Sequence, residues 1–255
     1  MTYLAVSHVT KTFGGLVALD DCSFAIAPGR ISCVVGPNGA GKTSIFNVVT
    51  GFIKADTGTV VFKDKDVTSL SRHDRIRLGI ARTFQNLRLF EELSALDNVL
   101  VCLADEAGNG PLAAMFRPFH TEAVLKRKKA EAAALLDEVG LGHKIEATAS
   151  SLSYGQKKLL CIARVLATRA ELILLDEPTS GLAAGALDAM VAMIHALKAR
   201  GRTLLVVEHN TRIVQRIADD VLFFHRGRLL AQGSPDEITS NEELGRIYFG
   251  RGDEH

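Results

Sequence analysis

The chain has 255 residues, 47% of them hydrophobic, with 30 basic against 29 acidic side chains and a formal charge of +1. That length and apolar content suffice for a large buried core with no disulfide or metal staple. The balanced charge speaks against a sequence-wide basic field able to hold a nucleic-acid backbone, so no nucleic-acid partner is expected.

Met1-Thr2-Tyr3-Leu4-Ala5-Val6 has neither a basic start nor a long apolar stretch, so no secretory signal is expected. Nowhere does the sequence approach the roughly 20 uninterrupted apolar residues of a transmembrane helix. Residues 4–9 alternate, Gly14-Gly15 marks a turn, and residues 22–26 alternate again before Pro28-Gly29, which reads as antiparallel β structure. Residues 31–35 form a nearly all-apolar strand that runs into a glycine loop, and residues 43–49 have helical character. Val60 to Phe62 and Asp66-Val67, separated by Lys63-Asp64-Lys65, suggest a further hairpin. From about residue 71 to residue 154 the pattern becomes helical. In residues 122–139, Leu125, Ala132, Leu135, Leu136 and Val139 can share one face, and Lys126-Arg127-Lys128-Lys129 reads as a solvated stretch. Strand and helix then alternate: residues 172–175, a helix over 185–199, residues 204–207, and a closing hairpin of residues 221–224 and 229–231 around Arg226-Gly227-Arg228. The four cysteines, Cys22, Cys33, Cys102 and Cys161, form no C-x-x-C pair and read as small buried hydrophobes.

Gly36-Pro37-Asn38-Gly39-Ala40-Gly41-Lys42-Thr43 fits G-x-x-x-x-G-K-[ST] between a strand and a helix, the context a phosphate-binding P-loop requires. Its glycines let backbone N–H groups close on phosphate oxygens, Lys42 sets a charge on the β and γ phosphates, and Thr43 offers a hydroxyl to Mg²⁺. Ser44, next in the chain, belongs to the same cradle. Residues 172–175 deliver Asp176 and Glu177 at the end of an apolar strand, where ligands collect in open α/β sheets. Asp176 suits the Mg²⁺ shell, and Glu177 is placed to polarise a water for in-line attack on the γ-phosphate. Together these residues read as a Mg²⁺-dependent NTPase; the resemblance below makes its nucleotide ATP. Ser153 precedes an apolar-periodic helix with Leu159, Leu160, Ala163, Leu166 and Ala167 on its buried side, and can cap it.

Taken in order, the chain resembles the ATP-binding subunits of ABC transporters, nearly end to end. Gln85 in Thr83-Phe84-Gln85-Asn86 matches the Q-loop glutamine, Leu152-Ser153-Tyr154-Gly155-Gln156 the signature, His209 the switch histidine, and Phe13 in Lys11-Thr12-Phe13-Gly14 the aromatic that stacks on adenine. The resemblance implies a P-loop α/β core with an antiparallel β subdomain and a helical insert ending at the signature. It divides a single domain of residues 1–250 into a core of 1–70 and 155–250 and an insert of about 71–154, followed by a tail of 251–255. It further implies that Gln85 serves catalysis and the metal, that His209 senses the γ-phosphate, and that Ser153, Gly155 and Gln156 face the nucleotide of a second ATPase subunit, an identical copy or a paralogue. Tyr154 replaces the signature's first glycine, and Ala183 stands where many relatives carry aspartate.

A finer resemblance is to the ATPases of branched-chain amino-acid importers, carried by Thr83-Phe84-Gln85-Asn86-Leu87-Arg88-Leu89-Phe90, the Ser-Tyr-Gly-Gln signature and Ile247-Tyr248-Phe249-Gly250. It implies uptake of branched-chain or other amino acids or another small polar solute, permease subunits as partners, a solute-binding protein acting indirectly, and a peripheral place on the cytoplasmic face of the inner membrane. The alternatives are the ATPase of a lipopolysaccharide-type exporter and a soluble ABC ATPase outside transport. Leu89 and Phe90 are expected to line a groove for a helix of the permease, with Leu87 in the core or beside them.

Overall fold

Alternation in the sequence becomes a pleat with one buried face. The computed structural model describes residues 2–84, 87–103 and 121–249. In it β1 (Leu4–Phe13) and β2 (Leu16–Ile26) form an antiparallel hairpin that buries Leu4, Val6, Val9, Leu19, Phe24 and Ile26. β3 (Ile31–Val35) leaves for a second sheet and leads into α1 (Lys42–Val49). The chain returns with β4 (Thr57–Phe62) and β5 (Lys65–Asp66), completing the first sheet in the order β2-β1-β4-β5. Register sets Leu4 opposite both Ile26 and Phe62, so large apolar side chains meet on one face.

There follow α2 (Arg72–Arg77), β6 (Ile80–Arg82), α3 (Ala95–Leu100), α4 (Thr121–Glu138) and α5 (Tyr154–Ala167). β7 (Leu172–Asp176), α6 (Ala184–Ala199), β8 (Thr203–Val207) and α7 (Thr211–Ile217) restore the alternation. β9 (Asp220–His225), β10 (Arg228–Gly233), α8 (Pro235–Ser240) and α9 (Glu242–Phe249) end the described chain. The second sheet has the order β10-β9-β3-β8-β7-β6, parallel except where β10 folds back on β9. β3 and β8 are buried along their whole length, which is why both read as unbroken apolar runs. One core joins the inner face of the first sheet, the apolar side of α1 (Ile45, Phe46, Val48, Val49) and alternate residues of the second sheet, among them Val34, Leu174, Leu205 and Phe224.

The described chain divides into two compact units. The first contains the chain to Arg82, Glu171–Gly181 and the chain from Asp188, and the second contains Thr83–Ala170 and Leu182–Leu187. The bounds of the second unit, at residues 83 and 170, do not coincide with the stretch of helical sequence pattern that begins at about residue 71. Ile80–Arg82 is a strand paired in parallel with β7, too short to show a period of its own. The helix after Ser153 packs with α3 and α4. Two apolar positions are also corrected. Leu125 is 49% exposed, because α4 buries only its later residues, Ala132 and Leu136, with Val139 just beyond. Leu159 is only half-buried, while Lys158 beside it is buried. The cluster Lys126-Arg127-Lys128-Lys129 is exposed except for the half-buried Lys128. Among the described residues, no helix is long and apolar enough to cross a membrane.

Candidate nucleotide site

β3 stops at Gly36, with φ at +146°, where an added Cβ would lie 2.1 Å from the carbonyl oxygen of Phe224. The loop ends at Gly41, the residue before α1, with φ at +101° and room denied to a side chain by the carbonyl oxygen of Ala18 at 2.7 Å. No side chain caps α1, so its first N–H groups face the loop as a ready anion site. The turn after β9 backs the loop: the Gly227 N–H donates to the Ala40 carbonyl at 3.0 Å. Lys42 is buried, and its Nζ donates to the carbonyls of Gly36 at 2.7 Å and Pro37 at 2.8 Å. Burial lowers the Lys42 pKa, while the carboxylates of Glu177 and Asp176 pull it back up. Thr43 is exposed and Ser44 partly so, with Pro37 half-buried, Asn38 and Gly39 exposed and Ala40 buried.

At the end of β7, Asp176 accepts from Arg82 Nη2 at 2.8 Å, and both side chains are nearly buried. Arg82 Nη1 donates to Asn47 Oδ1 on α1 at 2.6 Å, and the guanidinium lies 5.7 Å from the ring centres of Phe46 and Phe52. Burial pushes the Asp176 pKa up, and Arg82 opposes it. Glu177 takes a left-handed backbone with φ at +47°, uncommon for a residue with a side chain, and its N–H donates to the Val207 carbonyl at 3.0 Å. His209 Nδ1 stands 3.9 Å from Glu177 Oε1, within ion-pair range but beyond a direct hydrogen bond. Phe13, 45% exposed at the end of β1, lies 5.4 Å from Lys11 Nζ. Asp56 fixes that strand end, accepting from Lys11 Nζ at 2.6 Å, the Thr12 N–H at 2.7 Å and the Thr12 hydroxyl at 2.8 Å.

The signature residues belong to the other unit. Ser153 caps α5 in a reciprocal box: its hydroxyl accepts from the Gln156 N–H at 3.3 Å, and Gln156 Oε1 accepts from the Ser153 N–H at 2.9 Å. A side chain at Gly155 would press on Ala186 Cβ at 3.1 Å. Tyr154 is 48% exposed, with Lys158 Nζ 5.2 Å from its ring centre. Phe13, the loop from Gly36 to Ser44, Asp176, Glu177 and His209 all lie in the first unit, where Lys42 feels the charges of Asp176 and Glu177 and His209 stands beside Glu177; Ser153, Gly155 and Gln156 lie in the second, and Gln85 falls outside the described residues.

Sequence reading passed over Arg82, Asp56, Thr179 and Glu208. A lone arginine after Ile80-Ala81 carried a signal in its charge next to an apolar pair, as did Glu208 at the end of the all-apolar β8. Both are explained only by partners distant in sequence. Chemically, the assembled groups can hold a polyphosphate, neutralise it with Lys42, and direct a water at its terminal phosphorus.

The sequence profile of the ABC transporter family matches residues 19–180. The high-affinity branched-chain amino acid transport ATP-binding protein BraF of Pseudomonas aeruginosa is 35% identical over 97% of each chain. The corresponding protein LivG of Escherichia coli is 33% identical over 97% of each. Among solved structures, a nucleotide-free ATP-binding cassette from an ABC transporter superposes with a TM-score of 0.86 at 31% identity, covering 99% of this chain and 100% of that one. A cassette in its ADP conformation gives 0.85 at 32% identity, covering 98% and 100%.

Proposed function

The chain belongs to the ABC transporter family and is one of its ATP-hydrolysing subunits, and on that premise we propose that it powers uptake of branched-chain amino acids or a similar small polar solute. The observation that carries the reading is the meeting of three adjacent parallel strands at their C-terminal ends. β3 runs into the loop with Lys42, β7 ends in Asp176 and Glu177, and β8 leads to His209. That is where an open α/β sheet binds its ligand.

In this proposal Phe13 stacks on adenine, the loop from Gly36 to Thr43 with Ser44 wraps the phosphates, and Lys42 neutralises the β and γ groups. Glu177 accepts the proton of the attacking water while His209, beside it, contacts the γ-phosphate. Thr43 and Asp176, with Gln85, would hold Mg²⁺, which would supply charge neutralisation of the phosphates. Among the described residues no group of three or more His, Cys, Asp or Glu could hold an ion by itself. A hydroxyl and one carboxylate suit a small hard cation that keeps waters and shares the substrate's phosphates.

Ser153, Gly155 and Gln156 are assigned to the nucleotide of a second ATPase subunit, an assignment supported by the likeness to ABC cassettes and by their place at the N-terminal end of a helix, where the dipole favours negative charge. Permease subunits receive the work at the cytoplasmic face of the membrane, and a solute-binding protein acts upstream of them. Glu177→Gln is the test: ATP binding should persist while turnover falls by about 10²–10⁴, and the dimer should accumulate in ATP. Turnover near wild type with Mg²⁺ present would remove Glu177 as the base.

A further inference from the structure

Glu208 follows β8 directly, precedes His209 and is fully buried. Its Oε1 accepts two hydrogen bonds from Thr179, from the N–H at 3.2 Å and from the hydroxyl at 2.6 Å, and Thr179 is itself buried. Its Oε2 is buried with no hydrogen-bond partner among the described residues. An interior carboxyl group bonded through one oxygen alone costs stability, and a hydrophobic residue would fill the same space more cheaply. In the chain it adjoins His209, and its partner Thr179 belongs to the segment that carries Glu177. Thr179 comes two positions after Glu177, so the segment that follows β7 is tied to the end of β8 twice: by the Glu177 N–H on Val207 at 3.0 Å and by Thr179 on Glu208. A further turn bond, from the Ser180 N–H to the Glu177 carbonyl at 3.2 Å, closes the segment on itself. A left-handed Glu177 persists only when its surroundings over-determine it.

We propose that Glu208 and Thr179 form a staple that holds Glu177 in register with His209, which makes both of them positioning residues for ATP hydrolysis. The proposal rests on the roles given above to Glu177 and His209. What the staple uses is one acceptor oxygen of fixed position; the formal charge takes no part. An amide of the same shape therefore serves in place of the carboxyl group, whereas a truncated side chain leaves the two Thr179 donors buried and unpaired and lets the segment carrying Glu177 relax.

The experiment measures steady-state hydrolysis by the full chain with ATP and Mg²⁺ for Glu208→Ala, Glu208→Gln, Thr179→Val, the Glu208→Ala/Thr179→Val double variant and Glu177→Gln. Glu208→Ala and Thr179→Val should each lower kcat by about 10- to 100-fold at an unchanged KM for ATP, as small misplacements of a catalytic group do. The double variant should be no slower than the worse single one, since the two act as a unit. Glu208→Gln should recover most of the rate, which a purely electrostatic role would not allow. Normal kcat in both single variants, a rise in KM alone, or Glu208→Gln as slow as Glu208→Ala would overturn the staple. If thermal unfolding shows that Glu208→Ala does not fold, Thr179→Val, which conserves volume, decides by the same readings. Glu177→Gln separates the two levels: slow turnover there beside a normal Glu208→Ala sinks the staple alone, and wild-type turnover there sinks the base assignment beneath it.

Discussion

Arg82 bonds to Asp176 and Asn47 at once, and the surrounding Phe46 and Phe52 rings keep water from its guanidinium. A buried pair of this kind adds little net stability against an apolar substitute for both partners, but breaking it from one side is expensive because the remaining buried charge loses its hydrogen-bonded counter-ion. Arg82→Met should therefore destabilise the subunit by about 3 kcal/mol or more in urea or guanidinium unfolding. An unchanged midpoint would mean that Asp176 does not depend on Arg82. Lys42 and Glu177 could be read from the sequence because a glycine pattern and an acidic strand end announce them. Arg82 could not, because its meaning lies in residues 35 and 94 positions away.

At the scale of elements, the end of β1 is held by one side chain from outside it. Asp56 gathers Lys11 and Thr12, and the Lys11 ammonium above all, then the Thr12 N–H and hydroxyl, draw its pKa down to about 2. A folded pKa below the unfolded one means that the fold favours the ionised form. The stabilisation is fully present above about pH 4 and is lost as the pH falls through about 2. Asp56→Asn should accordingly unfold at a lower urea concentration than wild type at neutral pH, and the gap should close between about pH 4 and pH 2. A gap that stays constant over that window would show that Asp56 acts by shape alone. Since Phe13 is the next residue after Thr12, weaker nucleotide binding should accompany the loss. The strands and helices themselves were largely legible: β1, β2, β3, β7 and β8 follow from alternation or unbroken apolar runs, and the helix after Ser153 follows from its cap. β6 escaped because three residues are too few for any period to appear.

For the whole molecule the question is where the permease attaches. Phe90 is 50% exposed, while its backbone is locked by the buried Asn98, which accepts from the Phe90 N–H at 3.0 Å and donates to its carbonyl at 2.9 Å. The Arg164 guanidinium lies 5.5 Å from the ring centre. A ring held outward on a fixed backbone suits an anchor for a partner helix, and Leu87 and Leu89 beside it are half-buried. Phe90→Asp should leave the isolated subunit folded and able to bind ATP, yet weaken assembly with the permease by about 2 kcal/mol or more. Copurification and thermal unfolding together decide this. Intact assembly would remove the anchor, and an unfolded subunit would return Phe90 to the core.

The sequence by itself determined which residue types stand at the candidate site and the order of its parts, because a P-loop lysine, an acidic strand end and a capped signature helix are each local patterns of residue type. It also determined the α/β plan with a mostly parallel sheet, because unbroken apolar strands require cover on both faces. Tertiary structure alone decided where one unit ends and the other begins, and which side chains support the reacting ones. The partners of Arg82, Asp56 and Glu208 lie far off in the chain, and no local pattern records a contact between residues brought together only when the sheets and helices have packed.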